Sequence, residues 1–469
     1  MKVRERRLPT VPESVIFLCV VIAVIVTGIR MRMGPHNALF YGTLVSTLIA
    51  FYLGNKWKDI QENMINTIKE SLIVFMLLTI IGMMIGVWLI GGTVPTLVFY
   101  GLKLISPAIM LPLTFILCSL TSLFTGTSFG TMATMGLALV GVSVGLGMPT
   151  HIVAGAAVSG AYFGDKMSPL SDTTLMASGM SGVPLYTHIS SMFYTTLPAT
   201  VVCLVLYTVL GLRYAGGSVD PSNIILMTGT LEGQFNLSLL ALIPPIMVLV
   251  VSAKQVPAVP GLSATLIVSI ILAMFLQDKN FVQVMQVAFN GFRSETGVKM
   301  VDTLLSRGGV KSIQDTIILV LLACMMGGAL SESGVLNVFV QGLFKIIKKP
   351  SGLVVGTMIY SYAILLLSGN QVLGIIMGSR TFKDGYKQMN LHPRVLSRTL
   401  EDTNTIGAPV VPWSTACLYA CAVMGVTTEY IPYVFLTFAV PIFSLICAFT
   451  GWGMFAADGS PKWTKKAKK

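Results

Sequence analysis

Apolar runs, most of them close to the length that a helix needs to cross a lipid bilayer, follow one another along almost the whole chain. They read as Val15–Ile29, Ala38–Leu53, Ser71–Ile90, a short Thr93–Leu104, and a long block from Ala108 to Leu146 interrupted at Thr125-Gly-Thr-Ser-Phe-Gly-Thr131. Further runs begin at Ile152, span Ile189–Leu212, Leu237–Val251, Ala264–Leu276 and Thr316–Leu330, and end near Phe455. Backbone groups in lipid must be satisfied internally, so these runs predict helices, roughly ten to twelve membrane-embedded segments in all. Two stretches break the pattern. Asn55 to Glu70 is charged and amphipathic and is expected to be a surface helix on the cytoplasmic side; Gln277 to Asp315 is polar enough to be expected outside the bilayer.

The pattern also repeats. An ungapped offset of 243 carries Pro107 onto Pro350, Gly91 onto Gly334, Thr125-Gly126-Thr127-Ser128 onto Ser368-Gly369-Asn370-Gln371, and Ser168-Pro169-Leu170-Ser171 onto Val411-Pro412-Trp413-Ser414. Glycine and proline are each expected at only about one position in fifteen to twenty, so these coincidences mark two structural repeats. The expected organisation is residues 1–70 with two helices and the surface helix, a first repeat in 71–215, connecting helices and a polar loop in 216–312, and a second repeat with a basic tail in 313–469. The flanks of the second interrupted block carry Lys345, Lys348, Lys349, Arg380, Lys383, Lys387, Arg394 and Arg398, whereas the matching flanks of the first carry only Lys103 and His151. Basic residues stay in the cytoplasm, so the repeats are expected to be inverted, each block forming a re-entrant hairpin. Arg293, Lys299, Arg307 and Lys311 fit this least well, since they would lie outside.

Composition agrees with the pattern: 54% of the 469 residues are hydrophobic and 11% charged, with a mean hydropathy of +0.80. A soluble domain carries about 25% charged residues. The net charge of +12 then reads as loop charge beside anionic lipid and not as nucleic-acid binding. Seven cysteines lie within apolar runs without a CxxC pair, as free thiols would.

Candidate chemistry concentrates in Gly160-Ala-Tyr-Phe-Gly-Asp-Lys-Met-Ser-Pro-Leu-Ser-Asp-Thr-Thr174. Pro169 removes an N–H and is expected to break the arriving helix near Ser168. The freed carbonyls, with Asp165, Ser168, Asp172 and Thr173, make a hard oxygen-rich site suited to a small cation, placed as interrupted helices place ion sites in transporters. Thr127, Ser128 and Ser171 complete the first site. Asn370, Asp402, Asn404, Ser414 and Thr415 form its counterpart in the second repeat. One carboxylate can ligate sodium when charged and release it on taking a proton, with no further cofactor. Lys166 either neutralises Asp165 or reaches for the interface, His188 is expected to face the headgroups, and Trp413 either walls the second site or anchors at the interface. Two membrane aspartates also raise an intramembrane aspartyl protease, but Phe163-Gly-Asp165 and Leu400-Glu-Asp402 do not form a matching pair of motifs.

The run Gly155-Ala-Ala-Val-Ser-Gly-Ala-Tyr-Phe-Gly-Asp-Lys-Met-Ser-Pro-Leu-Ser-Asp-Thr-Thr174 resembles the signature of the NhaC-type sodium/proton antiporter family, within the ion transporter superfamily. The likeness extends to Glu401-Asp-Thr-Asn-Thr, Pro409-Val-Val-Pro-Trp413 and Leu304-Leu-Ser-Arg-Gly-Gly309. It implies a secondary transporter of a bacterial inner membrane, an elevator-like homodimer, with the ion site on Asp165, Ser168, Asp172, Thr173, Asp402 and Asn404. Members similar to this chain exchange malate for sodium and lactate, or move amino acids. No arginine stands inside the two motifs to clamp an organic carboxylate.

Overall fold

The computed structural model describes residues 6–462 apart from 32, 216–220, 255, 336–337, 340–341 and 343–346; Arg32, Lys345 and the basic tail beyond 462 lie outside the described residues. The described chain is almost wholly helical, its pairing outside helices limited to two isolated bridges near the C-terminus. Eight helices are long and apolar enough to cross a membrane, or up to ten if each bent pair is counted as one span. The chain is a polytopic all-α membrane protein. Its outward surface is paved with exposed Leu, Ile, Val and Phe, as lipid contact requires.

Helix ends repeat the offset seen in the sequence. Pro107–Thr125 and Pro350–Ser368 are the first legs of two hairpins. The second legs start at Ser128 and Gln371, and the first helices after them start at Thr150 and Pro393. Helices resume after the breaks as Asp172–Ser181 and Thr415–Met424. The tips turn through Gly126 and Gly369, at φ +70° and +64°, a region open to glycine at no steric cost. A Cβ on Gly126 would strike Leu170, and one on Gly369 would press on Trp413, the residue equivalent to Leu170. Each hairpin tip therefore rests on the helix break of its own repeat. The Ser168 hydroxyl donates to the Leu123 carbonyl at 2.7 Å, and Trp413 Nε1 donates to the equivalent Leu366 carbonyl at 2.6 Å. Trp413 thus seals the hairpin tip instead of lying at an interface.

Beyond the breaks the repeats exchange partners. Ser181 meets Ser379 at 3.2 Å, and the residues equivalent to these, Met424 and Gly136, are also neighbours. The two contacts are related by the same offset of 243.

The polar stretch 277–315 packs closely on the membrane-spanning helices. It does not sit apart from the helices. Gly309 N–H donates to the carbonyl of Gly82, the middle of helix Leu72–Ile90, at 2.7 Å. A Cβ on Gly86 would stand 2.7 Å from the Val287 carbonyl, and one on Gly308 would stand 2.6 Å from Gly86 N. Glycine against glycine lets this backbone lie on the helix, a proximity that a polarity count cannot register. Asp302 ties the loop to itself by accepting from Thr296 N–H at 2.7 Å, from the Ser294 and Thr296 hydroxyls at 2.8 Å, and from Gly297 N–H at 3.1 Å. These bonds, the Thr296 amide foremost, hold its carboxyl below the usual range. A depressed carboxyl stabilises above its unfolded pKa and loses that stabilisation as pH falls through the folded value, so the loop loosens only in acid. Replacing Gly86 with valine is expected to lift the loop from the helix, and proteolysis between 291 and 309 should then accelerate; cleavage at the wild-type rate would contradict this packing.

Candidate functional site

The two breaks bring two clusters of buried polar groups into the bundle. Asp165 lies in the last turn of helix Thr150–Met167, 5% exposed. Its Oδ2 accepts from the Ser128 hydroxyl and its Oδ1 from the Ser171 hydroxyl, both at 2.6 Å, and Ser171 Oγ is 3.0 Å from Thr173 Oγ1. Ser128 opens the second leg of the first hairpin and Ser171 precedes helix Asp172–Ser181, so two helix starts converge on one carboxylate. The Tyr162 hydroxyl, one turn back on the same helix, is buried without a hydrogen-bond partner.

The adjacent Lys166 belongs to the other cluster. Its ammonium, wholly buried, pairs with Asp402 of the second repeat and donates to Thr196 Oγ1 at 2.9 Å. Thr195 donates to the same Asp402 oxygen at 3.0 Å, while Asp402 Oδ2 has no partner. Lys166 therefore neither neutralises Asp165 nor reaches the interface. It joins the repeats, and successive positions on one helix turn Asp165 and Lys166 toward different sites. Asp402 lies in a π-helical turn, Glu401–Thr405, whose residues are all fully buried. Such turns recur at functional sites. Glu401, beside Asp402, is buried with both carboxylate oxygens unpartnered and lies within electrostatic range of Lys166, Asp165 and Asp402. Glu401 opens the second signature stretch but is given no site role by the sequence alone; its burial without a partner is what marks it. His188 is also inside the bundle, its Nδ1 2.7 Å from Ser397 Oγ, and not among headgroups.

Of the residues expected at the ion site, Asp165 and Thr173 come together, joined by Ser128 and Ser171, residues expected to face a substrate. Ser168 is buried but bonded to Leu123, and Asp172 is exposed in the first turn after the break. Thr127 and Asn370 cap the second hairpin legs, accepting from Gly130 N–H at 3.2 Å and Val372 N–H at 2.9 Å. Ser414 donates to the Ala408 carbonyl at 2.5 Å, Thr415 to the Gly369 carbonyl at 3.4 Å, and Asn404 to the Leu400 carbonyl at 3.1 Å. Asp165 and Asp402 have different partners throughout and form no aspartyl dyad.

Interrupted helices, hairpins tipped against the breaks, and buried carboxylates among hydroxyls define a secondary transporter. The comparisons agree: the profile of the Na+/H+ antiporter family matches residues 160–452, and the chain belongs to that family. It is 35% identical over 448 residues to the Na(+)/H(+) antiporter NhaC of Alkalihalophilus pseudofirmus, covering 95% of this chain and 96% of that one. It is 34% identical over 450 residues to the Malate-2H(+)/Na(+)-lactate antiporter of Bacillus subtilis, covering 96% of each chain. It is also 34% identical over 459 residues to the Arginine/ornithine antiporter ArcD of Halobacterium salinarum, covering 97% of this chain and 94% of the relative.

Proposed function

We propose that this chain exchanges sodium for protons across a bacterial inner membrane, with Asp165 as the group that alternates between the two. One observation carries the reading. Asp165 is buried among hydroxyls, and the neighbouring ammonium that would neutralise it is committed to Asp402. A carboxylate in that setting is held by a proton or by a cation. Sodium, a hard cation, suits the oxygens of Asp165, Ser128, Ser171 and Thr173. The hydroxyls now donating to the carboxylate would rotate to offer lone pairs to the ion. Asp402 and Asn404 lie in the second repeat, where the Lys166 ammonium already supplies a cation. In this reading they couple the repeats, which work as an inverted pair in an elevator-like homodimer.

The test is proton flux on adding sodium to proteoliposomes that contain no organic acid. Flux under those conditions supports simple exchange; flux that appears only with malate, lactate or an amino acid present would overturn it. That second reading is favoured by the names of two relatives. Orientation has its own test: a cysteine at Lys383 should label only from the cytoplasm and one at Thr150 only from outside. Labelling of both from one side would remove the inverted arrangement.

A further inference from the structure

Arg307 stands on the loop that lies against the middle of helix Leu72–Ile90. Its Nη1 donates to the carbonyl of Met424 at 3.2 Å, at the C-terminal end of helix Thr415–Met424. The residue is only partly exposed, and its Nε and Nη2 atoms are buried with no hydrogen-bond partner. No acidic side chain pairs with it: the ion pairs among the described residues are Arg6–Glu332, Arg7–Glu13, Lys103–Glu232 and Lys166–Asp402. Nε and Nη2 share one edge of the planar guanidinium, the edge that can grip both oxygens of a carboxylate with two parallel bonds. Two charged donors left bare in a buried position are costly, and a carboxylate is the group that would satisfy them together.

A plainer role is a cation at a helix C-terminus, where the macrodipole favours it. That role uses Nη1 and leaves the other edge unexplained. The equivalent helix end in the first repeat shows what the plain role looks like. There the Lys383 ammonium lies 3.4 Å from where a Cβ on Gly182 would stand, and that residue is exposed. Arg307, by contrast, has its free edge turned into protein.

Position supports a ligand as well. Helix Thr415–Met424 connects Arg307 to the Asp165 cluster. Tyr419 stacks on Phe129 with centroids 4.2 Å apart, and Phe129 follows Ser128, the donor to Asp165. Met424, which Arg307 touches, is five residues on, about 7.5 Å along the axis.

We propose that Arg307 anchors the carboxylate of a small organic anion that this chain binds in addition to sodium. The proposal rests on the transporter reading and extends it to a substrate class.

The test is thermal unfolding of the purified full chain in detergent with L-lactate or malate added, against lactamide as the uncharged control. At least one carboxylate should raise the unfolding midpoint of the wild type, and lactamide should not. Arg307→Gln should weaken that apparent affinity on the order of a hundredfold, the usual scale for truncating one side of a buried charged pair. Arg307→Lys, which keeps a charge at the helix end and so guards against a folding failure, should also weaken it, since an ammonium lacks the fork. The proposal is overturned if no carboxylate stabilises the wild type, or if either variant binds as the wild type does. Sodium-driven proton flux of the wild type without organic acid is scored separately, so failure here leaves sodium/proton exchange standing.

Discussion

Asp165→Asn is expected to abolish sodium-driven proton flux while leaving the chain folded. The asparagine keeps the shape of the side chain and can still bond to the Ser128 and Ser171 hydroxyls, which meet the carboxylate at 2.6 Å. What disappears is the charge that holds sodium and the site that takes a proton. Loss of a charged partner in a buried site costs several kcal/mol, and each ~1.4 kcal/mol is a tenfold change in binding. Flux should fall on the order of a hundredfold or more on that scale. A dye report of internal pH in proteoliposomes reads it directly; near-normal flux would make Asp165 a structural residue.

Lys166→Met is expected to produce the largest loss of stability. Lys166 and Asp402 are both wholly buried, and the replacement leaves Asp402 charged and uncompensated, with Thr195 as its remaining donor. Breaking a buried pair from one side costs about 3–5 kcal/mol, whereas replacing both partners with apolar residues of similar volume is often nearly neutral. The double variant Lys166→Met, Asp402→Leu should therefore be more stable than Lys166→Met alone, a coupling that a double-mutant cycle measures. Equal unfolding midpoints for the single and double variants would show that the pair does not join the repeats. In the double variant the repeats lose their charged tie, so transport should remain impaired although stability returns.

The elements of this fold were largely legible because their signals are local. Pro169 and Pro412 lie in the four-residue breaks between Met167 and Asp172 and between Val410 and Thr415, and glycines at the tips turn the hairpins. The matching of these breaks at one offset follows from the same residues. What the sequence concealed is pairing at a distance. Nothing near Lys166 indicates that its partner is Asp402, 236 positions away. Polarity alone places residues 277–315 outside the bilayer and says nothing of what they touch; the glycine contacts of Gly82 and Gly86 draw the loop onto a helix, and Arg307 with it. Asp172 looked equivalent to Asp165 in composition; only the geometry of the break turns one into the protein and leaves the other exposed.

In the proposed exchange one buried carboxylate, Asp165, alternates between a sodium ion and a proton. The most direct measurement is proton release when sodium is added to the purified chain in weakly buffered detergent solution, followed with a pH indicator and paired with calorimetry of sodium binding. The wild type should bind sodium and release protons in the same titration, and Asp165→Asn should do neither. Sodium binding without proton release, or undiminished release from Asp165→Asn, would contradict the account.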